Sequence, residues 1–262
     1  MYRYKTLLYI SIALPLTTFA FQNPKVVINP ANIPIPQLNA PFAFDSFKDT
    51  QEPLSSFYIQ KYEVTKNNFL IFATAYAKNK KSIENLKPSL WLEKYEYYDE
   101  EESLLPVTKV SYDMATKYCY SIDGRLPTQR EWIVAAITPT KEGKYQKSPK
   151  KFLSFPTITY PFESTHYVIK NSEEQGHFSD NFLNSVDLSL ESANGLKGML
   201  GNVWEMTSSF YQNQDDMIII KGGSYQNSQT PLFYDVRFTN YININTNSHE
   251  YEHIGFRCVF NK

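Results

Sequence analysis

Met217-Ile218-Ile219-Ile220-Lys221-Gly222-Gly223-Ser224-Tyr225 decides how this chain folds. An apolar run closed by two glycines is the pattern of a short buried strand ending where backbone must pass close to backbone. Later, Ile254-Gly255-Phe256-Arg257-Cys258-Val259-Phe260 has the same character. Val203-Trp204-Glu205-Met206 and Tyr234-Asp235-Val236-Arg237-Phe238 give two further short strands bounded by Gly, Asn and Ser. Nearer the N-terminus, Phe57 to Val64 has strand character, and Thr65 reads as an N-cap ahead of Phe69, Phe72, Ala73 and Tyr76 at helical spacing. Ser111 leads a second helix through Met114, Ala115, Tyr118 and Cys119, which Gly124 ends. Thr128-Gln129-Arg130-Glu131 is a capping-box pattern opening a third through Trp132, Ala135 and Ala136. Helices early, strands late and long loops between them make an α+β domain.

The first residues have another purpose. Arg3 and Lys5, the apolar run Leu7 to Leu16 and Thr18-Phe19-Ala20 read as a signal peptide over residues 1–20. That run is shorter than the roughly 20 residues a membrane span needs, and an uncleaved anchor is the competing reading. Export places the mature chain in the periplasm or outside the cell. Residues 21–54 carry Pro30, Pro34, Pro36 and Pro41 and read as an extended lead-in, partly disordered or laid along the domain. The domain proper then covers residues 55–262. Within it, 138–192 shows no periodicity, and the acidic run from Glu93 to Glu102 reads as a solvated face.

The formal net charge of −1 gives no electrostatic basis for nucleic-acid or membrane-surface binding. With 20 Tyr and 18 Phe, the chain has aromatics for a loop-rich core or for a binding face, and composition does not separate the two. Two cysteines, Cys119 and Cys258, are an even count in an exported protein. They form either a disulfide or a pair of buried thiols.

Taken in order, the motifs are Tyr62-Glu63-Val64-Thr65, Pro106-Val107-Thr108, Gly124-Arg125-Leu126-Pro127-Thr128 with Glu131-Trp132, Asn194-Gly195-Leu196, Gly201-Asn202-Val203-Trp204-Glu205, Lys221-Gly222-Gly223-Ser224-Tyr225 and Gly255-Phe256-Arg257-Cys258. This series resembles the sulfatase-modifying-factor family, which includes the formylglycine-generating enzyme, over about 200 residues. The resemblance implies the family's variant of the C-type-lectin-like fold, with small twisted sheets, few helices and long loops. It also implies a structural disulfide between Cys119 and Cys258.

The family's oxidative enzymes hold copper on two cysteines that follow the Gly-Gly-Ser-Tyr segment. Here those positions are Asn227 and Leu232. Copper(I) prefers thiolates, and neither an amide nor an alkyl chain replaces one, so the resemblance carries over no catalytic residue and no copper. Trp204, Ser224, Tyr225, Asn227 and His253 fall where the family lines its cleft; the competing reading of Trp204 and Ser224 is structural. The family also binds calcium beside the Gly-Asn-Val-Trp-Glu motif. By position, Glu205 offers a carboxylate and Gly201 and Val203 offer carbonyls, while Gly198 offers only a carbonyl where a side-chain ligand is common. A metal-free loop held by hydrogen bonds is the alternative.

The expectation is therefore an exported protein that presents a cleft to a protein, peptide, glycan or envelope partner and is not a copper–cysteine oxidase. Two rivals stand beside it. One is a metal-dependent oxidoreductase using His166, His177, His249 and His253; the other is a structural envelope component. Arg125, Arg237 and Arg257 read as ties to carboxylates such as Glu131 or Asp235.

Overall fold

The computed structural model describes residues 23–29, 54–79, 101–136, 183–188, 195–211, 214–227, 239–245 and 251–262. Strands β1 (Lys25–Ile28) and β2 (Phe57–Gln60) come first. Helices α1 (Lys66–Asn79), α2 (Tyr112–Ser121) and α3 (Gln129–Ala136) follow, with a 3₁₀ turn at Glu101–Leu104. Then come β3 (Trp204–Phe210), β4 (Met217–Lys221), β5 (Asn240–Asn243), β6 (Ile254–Gly255) and β7 (Val259–Asn261). Helices thus precede most of the strands, as the α+β reading expects.

Two small sheets result. One is antiparallel in the order β1-β2-β7, with Ile59 opposite both Val26 and Val259. The other runs β5-β4-β3-β6, antiparallel except where β6 lies parallel to β3 and pairs Trp204 with Ile254. Each sheet carries its own core. Trp132, Ile133 and Ala136 of α3 pack with Ile59, Leu200 and Val259. Phe69 of α1 and Tyr118 of α2 pack with Trp204, Met206, Ile220 and Phe256. Phe69 and Tyr118 stack at 5.9 Å between ring centroids, and Phe256 meets Tyr118 edge-on at 5.5 Å. Edge and stacked geometries of this kind add to the area the rings bury.

The caps follow the sequence closely. Thr65 Oγ1 accepts from the Asn68 amide, and Ser111 caps α2 by accepting from Met114. In the capping box, Glu131 Oε2 accepts from the Thr128 amide at 2.8 Å while Thr128 Oγ1 accepts from the Glu131 amide at 3.2 Å. The end of α2 differs in detail. The left-handed residue is Asp123 (φ 61), while Gly124 N donates to Cys119 O. The glycine is required for another reason: a Cβ there would sit 2.8 Å from the Phe260 ring and 2.9 Å from Val259 O.

Strand β1 lies within the proline-rich lead-in, which at this point is laid along the domain: a tetrapeptide free of proline pairs along β2. Two further differences have local causes. The stretch from Ile254 to Phe260 is broken into β6 and β7, because Gln60 takes both the amide and the carbonyl of Cys258. Strand β5 was not anticipated; its polar Asn240 and Asn243 are suited to the edge it occupies. The strand expected at Tyr234–Phe238, with Asp235 and Arg237, lies outside the described residues, as does most of the aperiodic stretch 138–192. No helix among the described residues is long and apolar enough to cross a membrane.

Cys119 of α2 and Cys258 are joined in a disulfide, and both are fully buried. The bond spans 139 residues of sequence. Closing so long a loop in the unfolded chain is worth about 4–5 kcal/mol on entropic grounds. The Cys119→Ala/Cys258→Ala double variant is therefore expected to lose most of that in a urea titration. An unchanged midpoint would show that the bond does not stabilise the fold.

Candidate functional site

Three loops meet at one end of the larger sheet. Gly201 and Asn202 precede β3, Gly222 to Asn227 follow β4, and His253 precedes β6. The backbone ties them: Gly201 N donates to Gly222 O, Tyr225 N to Asn202 O, and Trp204 N to His253 O, at 2.9, 3.0 and 2.9 Å. The sheet thus gathers Trp204, Ser224, Tyr225, Asn227 and His253, which the sequence placed in one cleft. Their exposure divides them. Trp204 and Ser224 are buried, whereas Tyr225, Asn227 and His253 are partly open.

Trp204 packs in the core with Phe256 and Ile254. Ser224 is held locally, its amide and Oγ both donating to Asn227 Oδ1 at 2.7 and 3.1 Å. Asn227 therefore pins the turn after Gly222-Gly223, a role its side chain can fill and a leucine or alanine cannot. Tyr225 carries its hydroxyl beside Gln226, which donates to it at 3.0 Å. Burial pushes the His253 imidazole below its ordinary pKa, against a smaller opposite pull from Glu252. His166, His177, His249 and Leu232 lie outside the described residues.

Behind these loops lies a buried ionic cluster. Arg257 Nε and Nη2 grip Glu205 at 2.8 and 2.7 Å, and Trp132 Nε1 donates to Glu205 Oε2 at 2.8 Å. The rest of the guanidinium donates to the carbonyls of Gln60, Lys61 and Lys197 at 3.3, 3.1 and 2.9 Å. Arg125 pairs with Glu131 in the same forked way, at 2.7 and 2.5 Å. That second pairing is one the sequence suggested; the partner of Arg257 is Glu205 instead.

A second carboxylate joins the cluster. Glu63 is fully buried and follows β2 in the Tyr62-Glu63-Val64-Thr65 motif. Its Oε1 accepts from Asn202 Nδ2 at 3.1 Å. Its Oε2 lies 3.7 Å from Arg257 Nη2 and accepts no hydrogen bond among the described residues. Burial raises the Glu63 pKa from 4.5 to about 7, with Arg257 pulling it down and Glu205 pushing it up. Sequence reading missed this residue because its partners are distant: Asn202 lies 139 positions away.

The donors here suit a hard cation better than copper. Both cysteines are consumed by the disulfide, so the described chain offers no thiolate. Around residues 198–205 the donors are carboxylate and peptide oxygens, which calcium prefers. Glu205 Oε2 accepts two hydrogen bonds but Oε1 only one, from Arg257, which leaves a lone pair on Oε1. The unpaired Glu63 Oε2 is a further buried oxygen in the same place. On that test the donors are of the kind calcium takes and not the thiolate pair copper takes, and among the described residues no three His, Cys, Asp or Glu side chains come together to hold an ion.

Two outcomes are expected from the cluster. Arg257→Met leaves Glu205 buried without its cation and is expected to cost about 3–5 kcal/mol in chemical denaturation; a loss below 1 kcal/mol, as for an exposed pair, would show the cluster is solvated. The folded state holds the Glu63 proton more tightly than the unfolded chain. Its contribution to stability is therefore full below pH 4.5 and lost as pH rises through about 7. In calcium-free buffer, the melting temperature of the wild type relative to Glu63→Gln should fall across that window; a constant difference would refute the assignment.

Comparison with known proteins agrees with this architecture. The family model of the sulfatase-modifying factor enzyme 1-like domain matches residues 27–262. "Inactive C-alpha-formylglycine-generating enzyme 2" of Bos taurus is 30% identical over 161 residues, covering 61% of this chain and 51% of that protein. The Mus musculus protein of the same name is 28% identical over 246 residues, covering 84% and 75%. The chain thus spans about half the length of the bovine relative. Among solved structures, CarF superposes with a TM-score of 0.60 at 17% identity, over 92% of this chain and 99% of that one. Treponema denticola variable protein 1 reaches 0.51 at 16%, over 80% and 86%. These two likenesses concern the fold alone. A match running from within β1 to residue 262, over the ordered motifs and the two-sheet architecture, means that the chain belongs to the sulfatase-modifying-factor family, with that family's variant of the C-type-lectin-like fold.

Proposed function

We propose that this chain is an exported member of the family that acts by binding, without copper–cysteine oxidase chemistry. One observation carries the reading: the chain's two cysteines are buried in the disulfide, and the positions that hold copper in the family's oxidases are Asn227 and Leu232. The two mammalian relatives bear "inactive" in their names, which is consistent with members that keep the scaffold without the activity. The partly open Tyr225 and His253 form the face offered to a protein, peptide or glycan partner. A tyrosine gives such a face an apolar ring with a polar tip at low entropic cost.

Export to the periplasm or beyond accords with residues 1–20 and with a disulfide that persists only under oxidising conditions. Calcium, bound through Glu205 and the carbonyls of Gly198, Gly201 and Val203, would serve to fix the loop from which β3 starts. Holding that loop fixes Asn202, to whose carbonyl Tyr225 is tied.

The reading is tested with purified protein, copper(I) titration and a sulfatase peptide containing the target cysteine. No conversion of that cysteine to an aldehyde, with or without copper, is expected in mass spectrometry. Aldehyde formation would end the reading. A Tyr225→Ala variant should bind a partner captured by crosslinking in cells at least about 5-fold more weakly, since rim-to-core aromatics contribute 1 kcal/mol or more; unchanged capture would move the binding face elsewhere.

A further inference from the structure

We infer that Tyr241 on the edge strand β5 is the stacking platform of a second binding site, whose ligand is a neutral glycan. The site lies at the opposite end of the larger sheet from Tyr225 and His253: Asn243 pairs with Met217 at the start of β4, whereas the Gly222 turn follows the end of that strand. It draws on neither the calcium residues nor the cleft. Tyr241 lies on Tyr211 with ring centroids 4.5 Å apart and planes 18° from parallel. Tyr211 is buried, whereas Tyr241 is 41% exposed. One face of the Tyr241 ring is thus backed by a second ring, and the other is offered to solvent in a fixed orientation. Phe210 does not extend this surface, since it turns to Tyr112 of α2. A flat, open ring is what the C–H face of a pyranose stacks on, and a ring already held loses little rotamer freedom on binding.

The surroundings distinguish a sugar from a protein or an added strand. Asn243 follows Tyr241 by two residues in β5 and so shares its face. Asn243 Nδ2 donates to Asp216 Oδ2 at 2.9 Å, and Asn243 Oδ1 accepts from the Asn245 amide at 2.8 Å. No other hydrogen bond from the described residues reaches the Asp216 carboxylate. The second Nδ2 hydrogen therefore stands as a donor beside an Asp216 oxygen as an acceptor, on two half-exposed side chains. Neighbouring sugar hydroxyls call for that combination, because each hydroxyl both donates and accepts. A specific protein interface buries roughly 800 Å² per partner around an apolar centre, far more than one open ring among polar residues provides. The free edge of β5 is also closed to an added strand, since the Tyr241 amide donates to Asn240 Oδ1 at 2.9 Å and the Asn243 carbonyl accepts from the Tyr251 hydroxyl. Charge narrows the sugar: Asp216 and the exposed Asp215 repel sulfated or carboxylated glycans and leave a neutral one.

The test places the purified chain on an array of neutral, sulfated and uronic-acid glycans, followed by saturation-transfer NMR with the neutral oligosaccharide that binds most strongly. Binding to neutral glycans is expected, with saturation greatest on the C–H protons of one pyranose face. Tyr241→Ala should weaken that binding about 10-fold or more. Tyr241→Phe keeps the ring and should bind nearly as well. Should Tyr241→Ala fold poorly, Asp216→Asn keeps the shape but turns an acceptor into a donor, and should weaken binding several-fold while leaving the saturated ring face the same. Wild type that binds no neutral glycan, binding confined to sulfated or uronic glycans, or wild-type affinity in a folded Tyr241→Ala variant would each overturn the inference. So would a dark array together with a lysate protein retained by wild type and lost with Tyr241→Ala, which would make the ring part of a protein interface.

Discussion

Arg257 is the constraint on which the two sheets converge. One guanidinium donates five hydrogen bonds, to Glu205 on β3, to the chain leaving β2 at Gln60 and Lys61, and to Lys197. These segments belong to different parts of the chain and share no ladder with one another. A planar fork with five fixed donors reaches them all from one buried point, which a lysine's point charge would not do. Buried ion pairs bring little net stability, because desolvation offsets the attraction. The value of this one lies in uniqueness: with every donor matched, alternative arrangements of the loops leave a buried charge exposed to no partner.

The covalent bond sits beside the ionic one. Cys258 follows Arg257 directly and is bridged to α2, while its amide and carbonyl are bound by Gln60. Three consecutive residues, Phe256, Arg257 and Cys258, therefore fix the aromatic core, the carboxylate cluster and a helix. This explains why the strand is broken there. The backbone of Cys258 is engaged by the end of β2 and Arg257 turns inward to the carboxylates, so β6 can pair with β3 and β7 with β2 only on either side. In a fold with few long ladders, such cross-links do the work that extended sheets do elsewhere.

What could be read from the sequence was mostly local. The capping box at Thr128 and Glu131 depends on a three-residue spacing, and Arg125 reaches the same glutamate within six positions. The apolar runs of β3 and β4 and the Gly-Gly turn are likewise visible in a short window. The pairing of Cys119 with Cys258 was an open choice from the residues and became definite only through the order of family motifs. What escaped was non-local or atypical. Nothing near Glu63 marks it as a partner of Asn202, since the contact arises only when β2 is laid against the loop before β3. Strand β1 is set among prolines and β5 is flanked by asparagines, so their pairing follows from the register of their neighbours and not from composition. For Trp204 and Ser224 the motif gave position but not exposure, because burial is decided by what packs over them.

Asn227 holds the turn after Gly222-Gly223 with its own side chain. In the family's oxidases a thiolate and its metal define this stretch. Here the asparagine carboxamide accepts from both the amide and the hydroxyl of Ser224 and closes the turn within three residues. The amide of Asn227 donates back to Ser224 O at 3.0 Å, so the turn is satisfied from both sides. A self-contained turn needs no metal to hold it, and Gly222 and Gly223 remain free to keep positive φ against the loop before β3. The surface at Tyr225 is consequently set by local hydrogen bonds and by Asn202, which in turn is anchored to Glu63. The turn after β4 and the loop before β3 thus fix the position of Tyr225 through hydrogen bonds that this chain supplies by itself.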